Sequence, residues 1–66
     1  MIVTINGKEE YFSETLTIYD LLKIKDVSPD GVVVELNRDI IDKKDFFHIE
    51  LKDRDMLEIL RFVGGG

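Results

Sequence analysis

The strongest structural signal in the chain is the stretch MIVTINGKEEYF, residues 1–12. Its first five residues alternate between apolar and polar side chains, a pattern typical of a half-buried β-strand. The dipeptide Asn6-Gly7 follows, and it tolerates the positive φ that a tight hairpin turn requires at both central positions. The stretch therefore predicts a β-hairpin in which Lys8 to Phe12 form the returning strand.

A helix is predicted after the hairpin, from Ile18 to Lys25. Thr17 is a residue type that caps helices, and Asp20 stands three positions later, which gives a variant of the capping box. Within the helix, Ile18, Leu21 and Leu22 fall on one face, because side chains three and four positions apart are neighbours. This face is expected to pack against the sheet. The turn residues 28–31 (SPDG) stop the helix from continuing.

The second half of the chain predicts short strands and turns. The elements are a strand at Val32–Leu36, a turn at Asn37–Asp39, an extended piece at Ile40–Ile41, a single helical turn at Lys43–Phe47, a short edge strand at His48–Leu51, a polar turn at Lys52–Asp55 and a last strand at Met56–Val63. One helix on one face of a mixed sheet is a two-layer α+β arrangement. The order predicts the β-grasp, or ubiquitin-like, fold, with four to five strands packed on one helix.

Composition limits the classes of function. The chain has 66 residues, a net charge of −5 and no cysteine. We expect one domain over residues 1–63, followed by a flexible glycine tail at residues 64–66. The acidic balance argues against nucleic acid and anionic membranes as partners, since both are bound mainly through lysine and arginine. It suits a basic partner protein or simply solubility. The absence of cysteine and of a long apolar run predicts a cytoplasmic location.

The sequence ends in three glycines, Gly64-Gly65-Gly66. A frayed terminus or a cloning scar would explain them without any function. The functional interpretation is steric, because a run without Cβ atoms can thread a narrow channel and leaves its last carboxyl group unhindered. A carboxylate is a poor electrophile until an oxygen becomes a leaving group, as adenylation would make it. The chain has no phosphate-cradling loop for ATP, so a partner would have to supply that step.

The predicted fold and the ending Phe62-Val63-Gly64-Gly65-Gly66 resemble the ubiquitin-like sulfur carrier proteins, most closely the ThiS family of thiamin biosynthesis. The resemblance extends over nearly the whole chain, in the segments Ile5–Lys8, Thr17–Leu22, Val34–Ile41 and Leu51–Ile59. It implies that an E1-like adenylating enzyme uses ATP to activate the Gly66 carboxylate. A sulfur donor, a cysteine desulfurase or another persulfide source, would then form a thiocarboxylate. Thiazole synthase would receive the sulfur, and the chain itself would bind no cofactor.

The resemblance also implies which face of the last strand meets partners. In that arrangement Leu57 and Ile59 face the core, and Leu60 and Phe62 lie on the other face, beside the tail. We therefore predict that Leu60, Phe62 and Val63 dock both the adenylating enzyme and the sulfur acceptor. The alternative is that Phe62 folds back onto the sheet edge.

No catalytic or metal site is predicted within the chain. His48 is its one histidine, and no nucleophile is paired with it in a recognisable pattern. The aspartates do not follow the spacing of a calcium loop. The chain is thus predicted to be a carrier and not an enzyme. Alternatives that remain open are a molybdopterin-type sulfur carrier, a ubiquitin-like protein modifier and a non-covalent ubiquitin-like binding module.

Overall fold

A computed structural model describes residues 1–62 of the chain. Within that range it contains five strands and one α-helix: β1 Ile2–Ile5, β2 Lys8–Tyr11, α1 Ile18–Ile24, β3 Val32–Leu36, β4 Asp39–Ile41 and β5 Met56–Arg61. Single turns of 3-10 helix precede β3, at Pro29–Gly31, and follow β4, at Lys43–Asp45. No helix in this part of the chain is long and apolar enough to cross a membrane.

The five strands form one mixed sheet in the order β2-β1-β5-β3-β4. Strand β5 runs parallel to β1 and antiparallel to β3, and the two outer pairs are antiparallel hairpins. The last strand along the chain is therefore the central strand of the sheet. One helix packed on a five-stranded mixed sheet confirms the predicted β-grasp fold.

The first hairpin forms as predicted, with Asn6 at φ 49° and Gly7 at φ 84°. The side chain of Asn6 then acts as an extension of β1. Its amide donates to the carbonyl of Ile59 at 3.3 Å, and its oxygen accepts from the Ile59 N–H at 2.7 Å. A side-chain amide thus replaces a backbone unit beside β5 at the point where β1 ends.

The predicted capping box of α1 is present. The Thr17 hydroxyl accepts from the Asp20 N–H at 3.1 Å, and the Asp20 carboxylate accepts from the Thr17 N–H at 3.0 Å. Two backbone donors at the helix start are thereby satisfied. The cap fixes where the helix begins, and Ile18, Leu21 and Leu22 are then fully buried against the sheet.

The core lies between the helix and one face of the sheet. It is built from the helix, from alternate residues of the strands and from Phe46, which is 1% exposed and follows the second 3-10 turn. The buried strand residues are Val3, Ile5, Val32, Val34 and Leu57. These strand residues all face the helix, and no element within residues 1–62 covers the opposite face of the sheet.

The predicted edge strand at His48–Leu51 is wrong. Glu50 makes only an isolated bridge with Thr17. The Leu51 N–H donates to the Leu16 carbonyl at 2.8 Å, and Ile49 accepts from the Ile18 N–H at 3.1 Å. The segment is therefore held by the chain that enters the helix, and not by a sheet edge.

Several boundaries differ from the prediction by one or two residues, including the ends of β2 at Tyr11 and of α1 at Ile24. Strand β4 begins at Asp39, because the turn needs only Asn37 and Arg38, whose φ values are 51° and 76°. The helical turn after β4 is shorter than predicted, and Asp42 makes no side-chain cap there. Strand β5 ends at Arg61. The predicted domain limit at residue 63 and the glycine tail at 64–66 lie outside the described residues.

Candidate functional site

Strand β5 presents two different surfaces through the alternation of its side chains. Leu57 is 1% exposed and Ile59 packs against the core. Leu60 is 54% exposed, and Phe62, which follows the strand, is 63% exposed. The strand therefore has the orientation that the family resemblance implied, with Leu60 and Phe62 facing outward.

The helix-free side of the sheet, here called the outer face, extends this apolar surface to neighbouring strands. Leu60 is paired directly with Val33 of β3, and cross-strand partners share a face. On β4, Ile40 is 70% exposed and is paired with Glu35, which lies two residues along β3 from Val33. The outer face thus carries an apolar group beside the chain end, interrupted by a carboxylate.

Phe62 is held by its backbone and leaves its ring in solvent. Its N–H donates to the Gly31 carbonyl at 2.9 Å, which continues the β3–β5 ladder by one residue beyond the strand. A ring folded back onto the sheet edge does not agree with an exposure of 63%. The exposed ring meets the first requirement of a docking residue, and docking itself stays a prediction.

Four predicted site residues, Val63, Gly64, Gly65 and Gly66, lie outside the described residues. The described chain ends at Phe62, so the covalent role predicted for Gly66 has to be tested by chemistry. The structure does place β5, the strand that comes shortly before those residues in the sequence. It pairs with β3 along most of its length and with β1 at Met56 and Leu57.

Among residues 1–62, no group of three or more His, Cys, Asp or Glu side chains is placed to hold a metal ion. His48 is exposed in the turn that follows the second 3-10 helix, between β4 and β5.

Sequence reasoning missed two members of the outer face, Val33 and Ile40. The sequence shows that both residues belong to short strands, but it does not show which face of each strand is buried. The pairing of Val33 with Leu60 places Val33 on the outer face. That pairing depends on the strand order, which no local pattern contains.

Comparison with known proteins identifies the family. The model of the ThiS family matches residues 2–66. The sulfur carrier protein ThiS of Bacillus subtilis (strain 168) is 42% identical over 66 residues, covering 98% of this chain and 100% of that protein. A thiazole synthase from Paramagnetospirillum magneticum is 39% identical over 66 residues, which are 100% of this chain and 20% of that protein.

A solved structure agrees with the sequence comparisons. The crystal structure of the thiamine biosynthesis protein ThiS from Geobacter metallireducens has a TM-score of 0.85 and 36% sequence identity, covering 100% of both chains. Fold, family model and full-length similarity to a curated relative lead to the same result. The chain belongs to the ThiS family.

Proposed function

We propose that this sulfur carrier of thiamin biosynthesis holds its sulfur as a thiocarboxylate on Gly66. The observation that carries the proposal is the position of β5. This central strand leads directly from the exposed Leu60 and Phe62 into the glycine residues that end the sequence. A partner that binds the outer face therefore has the reacting carboxyl group within a few residues of its contact.

The chemistry follows from the weakness of a carboxylate as an electrophile. Attack of a Gly66 oxygen on the α-phosphate of ATP would release pyrophosphate and leave an acyl-adenylate. The terminal sulfur of a persulfide, ultimately derived from cysteine, would then displace AMP and form an acyl disulfide. A thiol of a partner would attack the partner-side sulfur of that disulfide, which releases the Gly66 thiocarboxylate and leaves a disulfide between the partner sulfurs. We assign ATP, the thiol and all three steps to partners, an E1-like adenylating enzyme and a sulfur donor. The chain contributes the carboxyl group and the surface that presents it.

Thiazole synthase is the proposed acceptor of the sulfur. The support is the Paramagnetospirillum magneticum thiazole synthase, in which a region similar to this whole chain makes up 20% of the protein. Two proteins that act on one another are often found joined in one chain elsewhere. This support and the full-length similarity to a ThiS sulfur carrier protein favour a role in thiazole formation. They disfavour a molybdopterin-type carrier, a protein modifier and a non-covalent binding module. A cytoplasmic location fits this role and stays a prediction.

The outer face is the proposed docking surface for the adenylating enzyme. Leu60 and Phe62 are more than half exposed, and Val33 extends the apolar surface beside Leu60. Removing such side chains from water on binding is favourable by about 25 cal/mol for each Å² of apolar area. Val63, which follows Phe62, is included in the proposal from the sequence alone.

Replacing Leu60 and Phe62 together by alanine is expected to weaken binding to the host's adenylating enzyme at least tenfold. Truncating an anchor residue at the centre of an interface to alanine commonly costs more than about 1 kcal/mol, and the proposal makes Leu60 and Phe62 such anchors. The free energy of unfolding should change by less than about 1 kcal/mol, because both side chains already contact solvent. Isothermal titration and urea unfolding measure the two quantities.

Met56→Ala is the matched control, because Met56 is 50% exposed on the same strand but at its far end. It should leave the affinity nearly unchanged. A double variant of Leu60 and Phe62 that binds normally, or one that loses several kcal/mol of stability, would contradict the docking proposal.

The test of the carrier chemistry is direct detection of the thiocarboxylate. The chain would be incubated with the adenylating enzyme, ATP and a sulfur donor. Its C-terminal fragment would then be isolated and alkylated, and its mass would be measured by mass spectrometry. The fragment matters, because replacing oxygen by sulfur gives the same nominal mass change as oxidation of Met1 or Met56. We expect an alkylated sulfur on Gly66 that requires ATP. No adenylate and no thiocarboxylate, with an enzyme shown to be active on another carrier, would overturn the proposal.

A further inference from the structure

A groove of about 510 Å³ lies beside β5 on the side away from β3. Its apolar lining comes from Ile5, Val27 and Ile59, which belong to the core or pack against it. The groove begins where β1 ends, since β1 pairs with β5 only at Met56 and Leu57. An extended segment in this groove would therefore continue the line of β1.

The backbone of β5 is open toward this groove at Arg61. The even-numbered residues of the strand bond to β3, as shown by the Phe62 N–H on Gly31 and the Asn37 N–H on the Met56 carbonyl. The odd-numbered residues point the other way, and Ile59 is satisfied there by the side chain of Asn6.

Arg61 is the next odd-numbered residue of β5 after Ile59. Its N–H and C=O have no hydrogen-bond partner within residues 1–62. Free backbone N–H and C=O groups at a strand edge can pair with an extended segment of another chain, and Arg61 offers one such pair of groups.

The rim of the groove is basic in a chain whose net charge is −5. Lys8, Lys25 and Arg61 line it together with a single carboxylate, Glu10. The Lys25 ammonium lies 2.6 Å from both oxygens of Glu10. Lys8 and Arg61 therefore provide a local surplus of two positive charges, which complements an acidic ligand.

We propose that this groove binds an extended acidic segment of a partner protein. The segment pairs with the backbone of β5 at Arg61 and places carboxylates against Lys8 and Arg61. Alternate apolar side chains of the segment rest on Ile59 and Val27. The site is separate from the outer face, because the side chain of Arg61 shares the helix side of the sheet with its buried partner Val32. It does not depend on which sulfur acceptor the carrier serves.

The test uses a capped seven-residue peptide of alternating glutamate and valine as the probe, titrated into the ¹⁵N-labelled protein. We expect saturable shifts of the amide signals of Asn6, Ile59 and Arg61, with the Arg61 N–H moving downfield as it gains an acceptor. The shifts should weaken as salt is raised, because the charges are exposed. Shifts confined to Leu60, Phe62 and Val33 would overturn the proposal, and so would the absence of any saturable shift.

Two control ligands separate strand pairing from simple charge attraction. A peptide with lysine in place of glutamate should not bind, and inorganic phosphate should not move the Arg61 amide. Equal binding of the lysine peptide, or a phosphate effect that matches the acidic peptide, would reject an acidic strand as the ligand.

Charge reversal tests the named residues. Lys8→Glu and Arg61→Glu should each lower the affinity for the acidic peptide at least tenfold. Lys44→Glu makes the same change in net charge at an exposed position next to β4, on the opposite edge of the sheet, and should leave the binding intact. An equal loss for Lys44→Glu would show that only the total charge matters.

Discussion

Deleting Gly66 is expected to lower thiocarboxylate formation at least about 100-fold while leaving the unfolding midpoint unchanged. Because residues 64–66 are all glycine, the shortened chain still ends in two glycines and has an equally unhindered carboxyl group. Its end is, however, drawn back by about 3.5 Å, the span of one extended residue. A misplacement of about 1 Å at a reacting centre can already cost about 100-fold in rate.

A Gly66→Ala variant separates the length of the tail from the absence of a side chain. It keeps the length and adds one methyl group beside the reacting carbon, so it should be loaded more slowly than the wild type but faster than the deletion. Alkylation and mass measurement of the C-terminal fragment follow both variants, with urea unfolding as the control for stability. Normal loading of the deletion variant would contradict the assignment of Gly66.

The second large effect is expected in the core, at Phe46. This side chain is 1% exposed. It belongs to the segment between β4 and β5 and packs into the core. Replacement of a buried phenylalanine by alanine costs about 3–5 kcal/mol, from the lost transfer energy and the cavity left behind. The free energy of unfolding of a domain of this length is only about 3–10 kcal/mol in total. Phe46→Ala should therefore lose most of its stability, seen as a large fall in the urea midpoint.

The neighbouring residue provides the control for this prediction. Phe47 is 50% exposed and its ring lies 4.4 Å from that of Tyr19 on the surface of the helix. Phe47→Ala should cost less than about 1 kcal/mol, because half of its area is already in water. Similar losses for the two variants would show that burial does not decide the contribution of this segment.

The features that could be predicted from the sequence are those governed by neighbours along the chain. The hairpin turn at Asn6-Gly7 and the capping box of Thr17 and Asp20 each involve residues within four positions of one another. Their residue types are therefore enough to predict them. The alternation in β5 placed Leu60 and Phe62 on the exposed face for the same reason, once the resemblance had indicated which face is buried.

The features that escaped prediction depend on residues far apart in the sequence. The segment 48–51 has the composition of a strand, but its long-range backbone bonds go to residues 16–18, about 30 positions earlier. The groove likewise joins Lys8, Lys25 and Arg61, which meet only because β5 lies beside β1. The packing of elements that are distant in the sequence determines these contacts, and no local pattern contains it.

The central position of β5 also has a consequence for biosynthesis. Ribosomes make the chain from its first residue, so the strand that joins the two hairpins emerges after every other strand. Until it emerges, β1 and β3 lack their shared neighbour, and the sheet cannot close. A nascent chain that lacks β5 therefore also lacks the outer face, because Leu60 belongs to that strand and Val33 pairs with it. Closure of the sheet and formation of the outer face are thus expected in the same late step of folding.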